Sequence, residues 1–220
     1  MPALMAQDFG VRGGFSLATL TGSDAEAAAL AQYTEAVSNI DIDGIADQFG
    51  IDASALSGLN QVDPRPLPSF FAGVYLNLAL LDRFQLEPGL YIASRGYQVE
   101  RRIASLINLE VTNRSYYLEV PILARVFLTD NLNVYAGPQF ALLLSNDFNT
   151  DLSALVFQFD FDSEADETLN KVDFGLALGL GYTLPLGLNV QAGYDLGLVR
   201  YSEDIQAYNG VWKLGVGLTF

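Results

Sequence analysis

The sequence predicts an all-β fold: an eight-stranded antiparallel up-and-down transmembrane β-barrel with short periplasmic turns, long extracellular loops and a partly helical first loop. Three observations carry that expectation. Bulky apolar residues recur at every second position over eight segments, the period of a strand with one apolar face. Connections between the segments alternate between three-residue turns and long loops. Half of the residues are hydrophobic and only 17% are charged, a composition that buries or greases a large surface and excludes a disordered chain.

The stretch Phe174 to Tyr194 decides between helix and strand, because it is uncharged and long enough to span a bilayer as a helix. Phe174, Leu176, Leu178, Leu180, Tyr182 and Leu184 alternate there with Gly175, Ala177, Gly179, Gly181 and Thr183. A helix would scatter these side chains around its whole circumference, whereas a strand puts all the bulk on one side. Pro185-Leu186-Gly187 breaks the run, and the alternation resumes from Leu188 to Leu198.

The other strands follow the same rule. The first runs from about Phe9 to Leu20, with Phe9, Val11, Phe15 and Leu17 on the bulky face and Gly10, Arg12, Gly14 and Ser16 on the other. The second is read as Ser69 to Leu80, the third as Phe84 to Tyr97 and the fourth as Tyr116 to Leu128, where Leu118, Val120, Ile122 and Ala124 oppose Tyr117, Glu119, Pro121 and Leu123. Leu132 to Ser145 is the fifth. In the eighth, Val211 to Phe220, Trp212, Leu214, Val216 and Leu218 oppose Lys213, Gly215, Gly217 and Thr219. The turns are Leu81-Asp82-Arg83, Thr129-Asp130-Asn131 and Pro185-Leu186-Gly187, and the long connections are 21–68, 98–115, 146–171 and 202–210.

Aromatic residues give a second line of argument. Phe70, Tyr116, Phe174 and Trp212 open the strands that follow long loops, all on the bulky face; Phe9, Phe84, Tyr182 and Phe220 lie on the same face near the short turns. Two such girdles bracket an apolar band on the order of 25 Å, as lipid-facing barrels require.

If the bulky face meets lipid, the other face must pack inside a lumen just wide enough for side chains, and is expected to be small and polar. Its ions are Arg12, Arg95, Arg125 and Lys213 against Glu87, Glu119, Asp173 and Asp195, a balanced set that implies a salt-bridged structural plug. The net charge of -15 then belongs elsewhere. The first long loop, 21–68, holds eight acids against Arg65, and the third, 146–171, holds seven against Lys171, which accounts for thirteen of those charges. An acidic exterior fits two readings: hydration in high salt, as in halophiles, or contact with divalent cations or a protein. The calcium motif is not met. Asp41 to Asp52 has the length of an EF-hand loop, but Ala46 stands where glycine is needed and Asp52 where glutamate is; Asp160, Asp162, Glu164 and Asp166 lack a central glycine.

Within the first loop, Asp24 to Val37 is alanine-rich and predicts a helix capped by Ser23 or Asp24, with a second amphipathic segment from Ile42 to Leu59. The pair is expected over the barrel mouth. Pro64-Arg65-Pro66-Leu67-Pro68 reads as a stiff extended connector. Residues 1–8 resemble the tail of a secretory signal, with Ala6 before a cleavage point and Leu4 in place of the usual small residue; the barrel domain is placed at 9–220.

Several function classes fall away on composition. There is no cysteine and no histidine, so disulfides, thiolate metal sites, cysteine nucleophiles and the usual neutral-pH base are excluded. The negative field disfavours nucleic acid. No catalytic, metal or cofactor-binding residue is assigned.

Particular stretches resemble a known family. Phe9-Gly-Val-Arg-Gly-Gly-Phe-Ser-Leu17, Leu86-Glu-Pro-Gly-Leu-Tyr-Ile-Ala-Ser-Arg-Gly96, Tyr117-Leu-Glu-Val-Pro-Ile-Leu-Ala-Arg125, Tyr135-Ala-Gly-Pro-Gln-Phe140 and the glycine-rich closing strands are similar to the PorT-like outer-membrane β-barrel domain. The resemblance spans nearly the whole chain apart from the two acidic loops. It implies a bacterial outer-membrane location, a side-chain-filled eight-stranded barrel and no shared catalytic residues. The function expected is that of a non-enzymatic, monomeric integral barrel in outer-membrane lipid, with its acidic loops making surface, ion or protein contacts. Two alternatives remain: a soluble lipocalin-like barrel with its leucines around an apolar ligand, and a lipid-modifying outer-membrane enzyme.

Overall fold

The computed structural model describes residues 7–37, 65–103, 107–154, 157–164, 171–200 and 206–220. Its elements are β1 (Gln7–Thr21), α1 (Ala25–Val37), β2 (Arg65–Leu81), β3 (Phe84–Ile103), β4 (Ile107–Phe127), β5 (Leu132–Ala154), β6 (Phe157–Glu164), β7 (Val172–Thr183), a 3-10 turn (Pro185–Gly187), β8 (Leu188–Gly197) and β9 (Tyr208–Thr219). Every pairing is antiparallel between neighbours, and β1 meets β9 from Gly10↔Thr219 to Thr21↔Tyr208, so the sheet closes on itself. The ring holds eight strands, because β5 pairs with β4 on one side and with β7 on the other. Closure satisfies the backbone inside hydrocarbon, where an open edge has no water to bond. The described residues contain no helix long and apolar enough to cross a membrane; the strands do the crossing.

The bulky face points outward. Phe15, Leu180 and Leu214 are 51%, 54% and 63% exposed, whereas Arg12, Glu119 and Arg125 are buried. This is the reverse of the soluble carrier, which needs its leucines inside.

Four features depart from expectation. The segment 98–115 is not a loop: β3 continues to Ile103 and β4 starts at Ile107, paired in register from Arg95↔Ser115 to Ile103↔Ile107. The segment 146–171 is likewise strand for much of its length, because β5 runs on to Ala154 and β6 pairs back onto it from Ala154↔Phe157 to Asp147↔Glu164. Beyond the lipid band neither face has to be apolar, so the period-two signal fades while the backbone ladder persists. An extra β5 residue, Leu144, lies between Tyr116↔Ser145 and Tyr117↔Leu143, a bulge where ring passes into extension. The connector before the second strand is part of it, since β2 begins at Arg65 and Pro68 already pairs with Leu17.

The fourth departure concerns the interior, which is not small throughout. Phe71, Tyr75, Tyr91, Tyr97, Tyr117 and Tyr135 are all buried on the inward side of β2 to β5. For several of these rings the space comes from a glycine beside them. A Cβ on Gly10 would strike the Tyr75 ring, one on Gly89 the Tyr91 ring, and one on Gly193 the Tyr135 hydroxyl. Small and large inward positions are thus complementary, on directly paired strands for Gly10 and Tyr75 and within β3 for Gly89 and Tyr91.

The helix lies where its alanines placed it. Ala25, Ala28 and Ala29 are buried, and Ala28 N donates to Asp24 O at 2.8 Å to start the helix. The Asp24 carboxylate does not cap the helix; it accepts from Gln206 N at 3.0 Å, tying the helix start to the approach of β9. The second helical segment, 42–59, the Asp41 to Asp52 stretch and the signal-like residues 1–6 lie outside the described residues.

Replacing Gly193 by alanine is expected to destabilise the barrel by about 1–3 kcal/mol, because the new methyl meets the Tyr135 hydroxyl and the Leu178 carbonyl. Adding Tyr135→Phe to that variant removes one of the two clashes and should recover part of the loss. Urea unfolding of the refolded protein in micelles, read as a double-mutant cycle, checks both.

Candidate functional site: lumen and lipid-facing belts

β1, β7, β8 and β9 each carry one lumen ion on the inward side and β3 and β4 carry two each, and the register gathers all eight into two clusters. The first lies toward the short turns. Glu87 sits between Arg12 and Arg125: Arg12 Nη1 donates to Glu87 Oε1 at 2.6 Å and Nη2 to Oε2 at 3.1 Å, while Arg125 Nη2 reaches Oε1 at 2.8 Å and Nε lies 2.7 Å from Oε2. The remaining donors go to neutral acceptors. Arg12 donates to Tyr91 Oη at 3.1 Å and Asn189 Oδ1 at 3.2 Å, and Arg125 to Asn133 Oδ1 at 2.9 Å and Gln191 Oε1 at 2.8 Å.

The second cluster lies toward the long-loop end. Glu119 accepts from Arg95 Nε at 2.8 Å and from Lys213 Nζ at 2.6 Å. Arg95 Nη1 also donates to Asp173 Oδ2 at 2.7 Å, which takes a second bond from Asn209 Nδ2 at 3.2 Å, and Lys213 Nζ lies 2.6 Å from Asp195 Oδ2. The first cluster holds two cations and one anion, the second two cations and three anions. Charge balance is therefore met only over the two together.

Every cation also covers an aromatic ring. Arg12 sits 4.0 Å above the centre of Tyr75, Arg95 4.9 Å above Tyr117, Arg125 4.7 Å above Tyr135 and Lys213 5.2 Å above Phe71. Each lumen cation thus lies between carboxylate and ring. The rings were not singled out from the sequence as partners of the ions. A usable signal was there: Tyr75, Tyr91, Tyr117 and Tyr135 occupy the otherwise small or polar positions of the alternation. Voids at the clusters are small: about 30 Å³ bordered by Arg12, Glu119, Gln139, Asp195 and Lys213, and about 10 Å³ bordered by Arg95, Gln139, Asp173 and Asp195. They suit individual water molecules.

On the outside, the aromatic residues pair between strands, across β3 for Phe70 and Tyr116 and between neighbours for the others. Phe70 and Tyr116 have ring centres 6.4 Å apart near the long-loop end, and Phe9 stacks on Phe220 at 6.4 Å near the short turns. Phe174 packs against Phe140 at 5.0 Å and Trp212 against Tyr194 at 4.9 Å; Phe140 and Tyr194 were missed because they lie inside strands rather than at their starts. Tyr182 is exposed and Phe84 half-buried at the short-turn end. Among the described residues no group of three or more acids, histidines or cysteines is arranged to hold a metal ion.

A closed ring of eight strands, leucines and paired aromatics outside and paired ions within, defines a small integral β-barrel of the bacterial outer membrane. The chain belongs to the outer membrane protein beta-barrel domain family, whose sequence model matches residues 5–201. Solved structures similar to it include Neisserial surface protein A (12% identity, TM-score 0.50, covering 98% of this chain and 99% of that one). They also include the attachment invasion locus protein Ail of Yersinia pestis (10% identity, TM-score 0.43, 98% and 100% covered) and OprG of Pseudomonas aeruginosa (12% identity, TM-score 0.32, 98% and 97% covered). No curated protein matches the chain.

Glu119→Gln would leave Arg95 and Lys213 with one carboxylate each in a buried site. A loss of about 3–5 kcal/mol is expected, visible as a lower urea midpoint of the refolded barrel. Replacing Glu119 and Lys213 together by Gln and Met should cost less than the sum of the two single changes, since the pair is removed whole.

Proposed function

We propose that the chain is a non-enzymatic, monomeric and non-conducting outer-membrane barrel whose working part is the acidic surface it displays outside the cell. The observation that carries this reading is the lumen: among the described residues two ion-paired clusters occupy it, and the voids enclosed between their ions measure about 30 and 10 Å³. Arg12, Glu87, Arg95, Glu119, Arg125, Asp173, Asp195 and Lys213 are then structural groups. Phe9, Phe70, Phe84, Tyr116, Phe174, Tyr182, Trp212 and Phe220 serve as the two interfacial girdles. Within the family the chain is PorT-like, with the barrel domain starting in β1, where Gln7 and Asp8 already pair with β2. The shortage of lysine beside 26 acids supports a high-salt habitat, where the same acidic exterior also keeps the protein hydrated. Divalent cations and proteins are the partners this surface suits; nucleic acid is not.

Reconstitution into planar bilayers tests the closed lumen. No conductance above that of bare lipid is expected, and stable steps from the wild-type protein would overturn the reading. Incubation with labelled lipopolysaccharide should leave its acyl chains unchanged; clean turnover would establish an enzyme instead. The acidic extension also predicts a salt response. Because the register sets acidic positions directly opposite one another on neighbouring strands, the Tm of the refolded protein should rise as sodium chloride screens like charge over about 0.01 to 1 M. A Tm that falls over that range contradicts the account.

A further inference from the structure

Beyond the upper aromatics, β3, β4, β5 and β6 continue side by side as a sheet that is no longer part of a closed ring. Among the described residues β6 is hydrogen-bonded on one side alone, to β5. Such an edge offers a row of backbone donors and acceptors to another extended chain.

The sequence of this edge restricts what can join it. β6 reads Phe157-Gln-Phe-Asp-Phe-Asp-Ser-Glu164, so Asp160, Asp162 and Glu164 share one face and Phe157, Phe159 and Phe161 the other. The acidic positions continue a pattern across the sheet. Glu100 pairs with Glu110, Glu110 with Asp151 and Asp151 with Asp160, four carboxylate-bearing positions in one row. Like charges set directly opposite in a sheet are destabilising, and a strand bearing the opposite charge removes that cost at its outer end.

We infer that β6 is a strand-addition site, and that its partner is an extended protein segment alternating basic with apolar residues. The partner's Lys or Arg positions align with Asp160, Asp162 and Glu164, and its apolar positions with the phenylalanines. Main-chain bonds supply affinity and the alternation supplies selection. A second copy of this chain is a poor occupant, because antiparallel self-pairing about Phe161 sets Asp160 against Asp162. This inference rests on the external-surface reading above and specifies which part of that surface binds.

The test uses the full-length barrel in nanodiscs of phosphatidylcholine and three fluorescent eight-residue peptides, the length of β6. One alternates Lys and Val, one alternates Glu and Val, and one has the composition of the first in two blocks, all lysines then all valines. The alternating basic peptide should bind on the order of tenfold more tightly than the block peptide, beyond its binding to empty discs. In the variant Asp160→Lys, Asp162→Lys, Glu164→Lys, confirmed as folded by heat-modifiable gel mobility, preference should pass to the alternating Glu peptide. Equal binding of alternating and block peptides would overturn strand addition while leaving the acidic contact surface standing. No binding of either basic peptide above empty discs would remove both. Wild-type dimers that the charge-reversed variant abolishes would assign the edge to a second copy and overturn the proposal as well.

Discussion

Closure of the hydrogen-bonded ring is the constraint from which the other features follow. In hydrocarbon an unpaired backbone group costs several kcal/mol, so β1 and β9 have to meet, and they do over the length from Gly10↔Thr219 to Thr21↔Tyr208. A ring of eight strands fixes a narrow interior, and each strand sends every second residue into it. What the lumen holds is thus decided by closure before any particular side chain is chosen. Bulk on one strand has to be met by its absence on another, which is why Tyr135 on β5 faces Gly193 and Tyr75 on β2 faces Gly10.

The same narrowness explains the arrangement of the ions. A lone buried charge is too costly, and a single Arg–carboxylate pair leaves donors unmatched. Here each bridging carboxylate serves two cations, Glu87 for Arg12 and Arg125, Glu119 for Arg95 and Lys213. The spare donors of the two arginines below go to Tyr91, Asn189, Asn133 and Gln191. Because these contacts join β1 to β3, β3 to β4, β3 to β7 and β4 to β9, they cross-link the wall from inside. The ion network thus ties together strands that are not neighbours in the ring as well as filling space.

Legibility in the sequence follows the environment of each segment. Where a strand has lipid on one side and lumen on the other, its faces differ strongly, and Leu176, Leu178 and Leu180 against Ala177, Gly179 and Gly181 can be read as strand from composition alone. All eight lumen ions could be named for the same reason, since a charge on the small face has one place to go. Their grouping into clusters could not, because it depends on register between strands distant in the chain, such as Arg12 with Glu87 or Lys213 with Glu119. The inward tyrosines are hidden on similar grounds: Tyr75 or Tyr135 looks too large for a narrow lumen until Gly10 or Gly193, on another strand, is placed beside it. Outside the lipid the contrast between faces vanishes. Val99 to Ile103, Ile107 to Ser115 and Phe157 to Glu164 carry charged or polar positions on one face at least, so the sequence predicts loops where the ladder in fact extends.

The change of environment at Leu144 also divides the molecule's electrostatics. Below the bulge, the four lumen carboxylates are buried and each has a cationic neighbour within 2.8 Å. Above it, Glu100, Glu110, Asp151 and Asp160 occupy one row with no basic position between them. Water and salt can screen a row of that kind, whereas the lumen could not accommodate it, so opposite charge rules operate on two stretches of the same strands. The strand pairing is common to both, which means the acidic row is held in place by the ring beneath it. A barrel loosened at its lumen ions would lose the geometry of its outer surface too, without any change in that surface's own residues.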